Sequence, residues 1–180
     1  MSQIKYKRIL LKLSGEALAG EQHRGLDYGV IHPVCEAIRQ CRDLGVQIGL
    51  VIGGGNFWRG VKDGADKMQR AHGDAMGMLA TVMNSIAMAD ALEQHGVPAR
   101  VLSAVEMNKF AEYFTRDTAD RYLKEGEVVI FRRNGQPLFF HRYRRRTPGR
   151  GNRSRCHSHG EECGWHLLCR PQHRSHRRQV

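Results

Sequence analysis

The chain has 180 residues, 41% of them hydrophobic, which is enough for one domain with a core of its own. Its net charge of +11 at pH 7 is concentrated at one end. Residues 1–131 hold 16 basic and 16 acidic side chains, whereas residues 132–180 hold 13 arginines and two glutamates. The neutral balance of residues 1–131 excludes nucleic-acid binding driven by net charge in that segment.

The amino terminus shows no charged segment followed by the apolar stretch of a signal peptide, and no apolar run reaches the length that spans a bilayer. Neither a secreted nor a membrane-anchored protein is indicated. We therefore expect a cytoplasmic protein with no membrane partner.

The apolar pattern predicts alternating strands and helices. Strands are expected at residues 6–13, 46–52, 99–103 and 127–131. Helices are expected at residues 28–44 and 72–95. A further helix, capped by Asp117 or Thr118, is expected to run to Lys124, and residues 19–27 are expected to form a loop. This alternation predicts an α/β fold with a mostly parallel sheet. In the long helix, the face expected to meet the core consists of Met76, Leu79, Met83, Ile86 and Ala87.

Gly53, Gly54 and Gly55 directly follow the second predicted strand, with Asn56 and Arg59 close behind. Ligands of open α/β sheets bind at the carboxyl ends of the strands. Glycine N–H groups can approach an anion closely because no Cβ intervenes. The stretch therefore predicts a phosphate site within reach of an arginine, although a plain glycine turn between strand and helix would show the same three residues.

Two other charged residues stand at the ends of predicted elements. Lys12 ends the first strand beside Ser14 and Gly15, where an ammonium can meet a phosphate held by backbone N–H groups. Asp74 lies at or near the start of the long helix. Each also has a plainer interpretation: a solvated lysine at a strand edge, and a carboxylate that caps helix N–H groups.

Three motifs together resemble those of bacterial uridylate (UMP) kinases: Lys12-Leu-Ser-Gly-Glu-Ala-Leu18, Gly53-Gly-Gly-Asn56 with Arg59-Gly60, and Gly73-Asp-Ala-Met-Gly-Met-Leu-Ala-Thr-Val-Met-Asn84. They occur in the family's order and spacing over residues 5–131. The resemblance implies a three-layer α/β/α sandwich of the amino-acid-kinase type, with residues 1–131 as its amino-terminal part. That fold has no Walker A loop, and the sequence contains none.

The resemblance also implies a reaction: phosphoryl transfer from ATP to UMP, which gives UDP and ADP in pyrimidine nucleotide biosynthesis, with Mg²⁺ as a cofactor. It implies a homohexamer, with GTP as an allosteric effector near Gly20 and Gly25. The implied catalytic residues are Lys12 and Asp74, and Lys12 would offset charge on the transferred group. The implied ATP contacts are Lys12, Leu13, Ser14, Gly15, Gly55 and Arg59, and the implied UMP contacts are Gly54 and Asp74.

After Phe131 the resemblance stops. The family continues with a loop of the form GGTGNPFF, whereas this chain reads Arg132-Arg-Asn-Gly-Gln-Pro-Leu-Phe-Phe140. Codons for residues 132–137, read one base later, permit Gly-Gly-Thr-Gly-Asn-Pro. We interpret residues 132–180 as a frameshifted, arginine-rich tail with too few periodic apolar positions to order a core. The chain as written is therefore expected to be inactive as a kinase.

The alternative is a genuine accessory module, in which the arginines bind RNA and a set of cysteines and histidines binds zinc. The zinc candidates are Cys156, His157, His159, Cys163, His166 and Cys169. Their spacing matches no C-x₂-C pairing, and the shifted frame accounts for them without a function. No specific nucleic-acid partner is therefore expected.

Overall fold

The computed structural model describes residues 6–59 and 68–132, which form a parallel sheet with helices on both faces. The strands are β1 Arg8–Leu13, β2 Gln47–Ile52, β3 Ala99–Ser103, β4 Glu112–Tyr113 and β5 Val128–Phe131, in the order β1-β2-β5-β3-β4. The helices are α1 Gly15–Leu18, α2 Tyr28–Asp43, α3 Arg70–Gln94 and α4 Arg116–Lys124, with a 3₁₀ helix at Gly20–Gln22. Each pair of neighbouring strands runs parallel.

Strand β5 shows why the fold has three layers. Val128 and Ile130 belong to one core with helices α2 and α3, whereas Val129 and Phe131 belong to a second core with α4. Successive side chains of a strand point to opposite faces of its sheet. The sheet is therefore covered on both faces, which confirms the predicted α/β/α arrangement in this part of the chain.

Most predicted boundaries lie within two residues of those in the structure, and the differences have local causes. The N-cap of α4 is Thr115, whose Oγ accepts a hydrogen bond from the Thr118 N–H at 3.1 Å, so the expected caps Asp117 and Thr118 are wrong. The loop expected at residues 19–27 includes the 3₁₀ helix. Helix α1 and strand β4 were not predicted, because elements of four and two residues carry no apolar period.

The apolar face predicted for α3 is also wrong. Its large side chains are exposed: Met76 by 39%, Leu79 by 51%, Met83 by 50% and Ile86 by 40%. The side of the helix that is buried instead consists mostly of small or polar residues, with few large ones: Ala80, Val82, Asn84, Ser85, Met88, Ala91 and Leu92. Small side chains let the helix approach the sheet closely, so the longer side chains are left on its outer side.

Helix α3 corrects a further expectation. It contains an 18-residue window with a mean hydropathy of 1.3, so it is long and apolar enough to cross a membrane by length and composition. The expectation that no apolar run is long enough to span a bilayer is therefore wrong. The core helix of a soluble protein passes the same test, and Met88, Ala91 and Leu92 of α3 are fully buried in the core with α2 and β2.

Candidate functional site

The glycine loop (Gly53–Gly55) lies where β1 and β2 end side by side. The two strands pair in register, with Leu13 opposite Ile52, and the Gly53 N–H donates to the Leu13 carbonyl at 2.9 Å. This parallel pairing places the Lys12–Gly15 segment next to the glycine loop, at the sheet edge where such folds bind ligands. The Lys12–Gly15 segment and the glycine loop are therefore in direct contact.

Two glycines allow the loop to pack closely against its neighbours. A Cβ on Gly15 would lie 2.6 Å from the Gly53 carbonyl oxygen and 2.8 Å from the Gly55 nitrogen. A Cβ on Gly54 would lie 2.8 Å from the Ala80 Cβ and 3.0 Å from the Gly77 oxygen, both on α3. The loop is thus pressed between the start of α1 and the side of α3, and neither contact tolerates a side chain.

We expect Gly54→Ala to destabilise the fold by about 1–3 kcal/mol, because overpacked sites force the backbone to shift. Gly73→Ala is the matched control: its Cβ would meet no atom closer than 4.0 Å, and alanine is the better helix former. Urea unfolding of both variants measures the difference. Equal free energies of unfolding for the two variants would contradict the close packing at Gly54.

The Lys12–Gly15 segment offers a cation and backbone groups to this edge. Lys12 is exposed at the end of β1, while the Leu13 side chain is buried in the core, so Leu13 can offer only its backbone to a ligand. The Ser14 hydroxyl caps α1, accepting from the Ala17 N–H at 3.3 Å. Ser14 therefore holds the turn from which Gly15 contacts the glycine loop.

Arg59 folds back over the glycine loop. Its Nε donates to the Gly55 carbonyl at 3.1 Å, and its guanidinium lies 2.8 Å from a carboxylate oxygen of Glu16. The arginine side chain is 35% exposed, so it remains accessible from solvent. The structure thus brings the predicted pair Gly55 and Arg59 together, and it shows a contact with Glu16 that was not predicted.

Asp74 does not cap α3, so that plainer interpretation is wrong. The helix begins at Arg70 with Gln69 as its N-cap, which places Asp74 in the second turn. Its carboxylate is 74% exposed and lies 4.0 Å from Arg70 Nε. Gly77, one turn further on, lies beside Gly54, so Asp74 stands on the stretch of helix that approaches the glycine loop.

The residues around Gly20 and Gly25 form a tight turn, called here the 20–25 loop. Both glycines have positive φ, +54° and +73°, a conformation that favours glycine. The Gly25 carbonyl accepts a hydrogen bond from Asn56 Nδ2 at 2.6 Å. The loop implied to bind an effector is therefore bonded to the residue that follows the glycine loop.

Sequence reasoning missed a buried amide pair beside this site. Asn84 was read only as the last letter of the α3 motif, and Asn56 only as an amide near the phosphate site. Their side chains are 0% and 3% exposed and hydrogen-bond to each other. An asparagine among the small and apolar residues of a helix was the available signal, because buried polar groups need partners.

Two other kinds of site were possible in the described residues: a reactive cysteine and a metal site. Burial raises the pKa of Cys35 to about 11, so this cysteine is a protonated core thiol at neutral pH and a poor nucleophile. Within residues 6–59 and 68–132, no group of three or more histidine, cysteine, aspartate or glutamate side chains could hold a metal ion. The zinc candidates of the tail lie outside the described residues.

Comparisons with known proteins agree with this geometry. Residues 7–142 match the family model described as "Amino acid kinase family". The uridylate kinases of Limosilactobacillus reuteri and Pediococcus pentosaceus are each 49% identical over 140 residues, which cover 77% of this chain and 58% of each relative. The chain therefore spans little more than half the length of the curated relatives it matches.

Solved structures give the same result. The UMP kinase of Bacillus anthracis superposes with a TM-score of 0.68 at 34% identity, over 75% of this chain and 56% of that one. The UMP kinase of Ureaplasma parvum superposes with a TM-score of 0.65 at 31% identity, over 71% of this chain and 56% of that one. Both comparisons extend the likeness from sequence to fold.

Proposed function

The chain belongs to the amino acid kinase family, and we propose that it carries the amino-terminal part of a UMP kinase, which transfers a phosphoryl group from ATP to UMP. The main support from the structure is the glycine loop, held against both the Lys12–Gly15 segment and helix α3. A loop in that place can hold two nucleotides in line, one toward β1 and one toward α3. Neither the family match nor the uridylate kinase relatives support the alternative RNA- or zinc-binding function.

In this proposal the ATP side consists of Lys12, Leu13, Ser14, Gly15, Gly55 and Arg59, and the UMP side of Gly54 and Asp74. Phosphoryl transfer leaves little covalent work to the protein, so catalysis rests on positioning and on stabilising charge. Lys12 supplies a cation for the transferred group, and Asp74 supplies an acceptor for the nucleotide that receives it.

Mg²⁺ belongs to the same proposal. This ion keeps several of its waters and is often held by substrate phosphates with one or two carboxylates. When bound, the ion would neutralise charge that develops on the transferred group.

The domain division is proposed as well: residues 1–131 are native to the kinase, and residues 132–180 are a frameshifted tail. Arg132 is 5% exposed, and in the part of the chain that the structure describes its Nε has no hydrogen-bond partner. A buried, incompletely paired guanidinium is costly, whereas the shifted frame permits glycine there. Sequencing the DNA across codons 125–140 tests the shift directly.

The cellular setting follows from the proposed reaction. The product UDP feeds pyrimidine nucleotide biosynthesis, a cytoplasmic process, and GTP is proposed as an effector at the 20–25 loop. The position of the loop supports an effector site there, since Asn56 joins it to the glycine loop through its bond to the Gly25 carbonyl.

A homohexamer is proposed for the whole enzyme, with the exposed side of α3 as one of its interfaces. Met76, Leu79, Met83 and Ile86 are spaced three, four and three residues apart, the seam spacing of two packed helices. Arg70 lies at one end of the helix and Asp90 near the other. Antiparallel packing of two copies of α3 would join the apolar seams and bring opposite charges together.

Leu79→Glu is expected to reduce the frame-restored enzyme to smaller assemblies, because a two-fold interface would bury two carboxylates at its centre. Val105→Glu is the matched control: Val105 is 41% exposed, but it lies outside helix α3. Sedimentation velocity gives the masses of all three proteins. An unchanged hexamer mass for Leu79→Glu would remove α3 from the interface.

The reaction itself is tested by a coupled assay of ADP release with UMP as acceptor. CMP and AMP serve as acceptor controls, since UMP is the acceptor proposed. A frame-restored enzyme that did not phosphorylate UMP, or that used CMP or AMP in preference to it, would refute the proposal.

A further inference from the structure

Asn56 and Asn84 form a closed pair of amides inside the protein. Asn56 Nδ2 donates to Asn84 Oδ1 at 3.0 Å, and Asn84 Nδ2 donates to Asn56 Oδ1 at 2.7 Å. Both residues are buried, one just after the glycine loop and the other in the middle of α3. Such reciprocal pairing satisfies one donor and one acceptor on each side chain.

The second N–H of each amide leads out of the pair to a different loop. Asn84 Nδ2 donates to the Gly53 carbonyl at 2.6 Å, and Asn56 Nδ2 donates to the Gly25 carbonyl at 2.6 Å. The Gly25 N–H also donates to the Asn56 backbone carbonyl at 3.3 Å. Four amide N–H groups therefore join α3, the glycine loop and the 20–25 loop into one network.

The direction of these bonds distinguishes the pair from ordinary core polar residues. Ser85, the next residue of α3, is equally buried, but its hydroxyl donates to the Thr81 carbonyl of its own helix. The asparagines instead bond to the backbone of two glycine-bearing loops, and a Cβ on Gly15 would lie 2.5 Å from Asn56 Oδ1. A fully satisfied buried network of this kind rigidifies what it joins.

We propose that Asn56 and Asn84 are positioning residues that fix the glycine loop and couple its motion to that of the 20–25 loop. The kinetic part of this inference rests on the proposed kinase function, whereas the coupling of the two loops does not. Coupling of this kind is reciprocal. A ligand that orders one loop therefore changes the affinity of the other loop for its own ligand. The network is the physical connection through which an effector at the 20–25 loop would act on the phosphate site.

Asn84→Asp is the sharpest variant, because it keeps the shape of the side chain and removes both donors. Its carboxylate would face the Gly53 carbonyl and Asn56 Oδ1, two acceptors, without a bond to either. Ser85→Ala is the matched control, since it removes a buried polar group from the same helix without touching either loop. If Asn84→Asp loses the protection of β2 from hydrogen exchange, Asn84→Ser is measured in its place.

Hydrogen exchange of the 180-residue chain measures the coupling without any activity. In Asn84→Asp we expect exchange at Gly53–Gly55 and at residues 20–25 to rise together by about tenfold or more, while Leu50 in β2 stays protected. Ser85→Ala should leave both loops unchanged. Faster exchange at the glycine loop alone, or an equal rise through β2 and β5 in both asparagine variants, would overturn the proposal.

Kinetics of the frame-restored enzyme give the second readout. Asn84→Asp is expected to lower kcat by about tenfold or more, with a smaller change in the KM for UMP, because misplacement of reacting groups acts mainly on the chemical step. If the parent enzyme is active and Asn84→Asp has the same kcat, the positioning role is refuted. An inactive parent with coupled exchange would instead sink the kinase function and leave the coupling standing.

Discussion

The 180-residue chain should show no appreciable phosphoryl transfer from ATP to UMP, whereas the gene with its frame restored after codon 131 should give an active enzyme. The chain spans 58% of the length of its uridylate kinase relatives, and the family model matches residues 7–142. Binding energy has to hold both nucleotides in line, so loss of the remaining positioning groups removes most of the rate. We expect a difference of several orders of magnitude.

Coupled ADP release with UMP compares the two proteins at equal concentration. The frame-restored protein carrying a stop after codon 131 is the matched control, because it lacks the second half without the arginine-rich tail. Equal inactivity of this control and the 180-residue chain would show that the tail contributes nothing. Robust turnover by the 180-residue chain would mean that residues 132–180 supply catalytic groups, and the frameshift interpretation would fall.

The order of strands and helices was predictable because each main element carries its own signal. β5 is a short apolar run that ends the neutral segment, and α2 shows helical spacing with Gly45 at its end. These signals are local in sequence, so they can be recognised without knowing which residues are neighbours in space. The parallel pairing of β1 with β2 then follows from the helix between them.

The orientation of α3 could not be read from periodicity, because helix and sheet approach each other through small residues. Ala80 lies at the contact with Gly54, while Leu79 and Met83 project outward. A pattern that counts only large apolar residues therefore chose the wrong face. The same error concealed the seam proposed to pair two subunits, since exposed apolar stripes have a meaning of their own.

The sequence predicted the individual residues of the candidate site but not the hydrogen bonds between them. Lys12, Gly54 and Arg59 were singled out by residue type and position at strand ends. The hydrogen bonds that hold them depend on packing across the fold, such as the bond from Asn84 to Gly53 over 31 positions of sequence. Spacing along a chain carries no information on such contacts.

In the frame-restored enzyme, Asp74→Asn should act mainly on UMP. The substitution keeps the shape of the side chain and removes a charged acceptor, which for a hydrogen bond to a charged group is worth about 1.5–3 kcal/mol. We expect the KM for UMP to rise by about tenfold to a hundredfold, with a smaller fall in kcat. Asp117→Asn, an exposed aspartate on α4, is the matched control.

Lys12→Ala should act instead on the chemical step. Lys12 is exposed at the end of β1, and the carbonyl of the next residue accepts from the Gly53 N–H. The proposed function therefore places its ammonium beside a phosphate at the glycine loop. Loss of a group aimed at developing charge lowers kcat by about 10²–10³-fold in comparable sites. Lys7→Ala removes an exposed lysine just before the same strand and should leave kcat unchanged. If Lys12→Ala raised the KM for ATP but left kcat at the parent value, the lysine would bind the nucleotide equally in ground and transition states, and its catalytic role would be refuted.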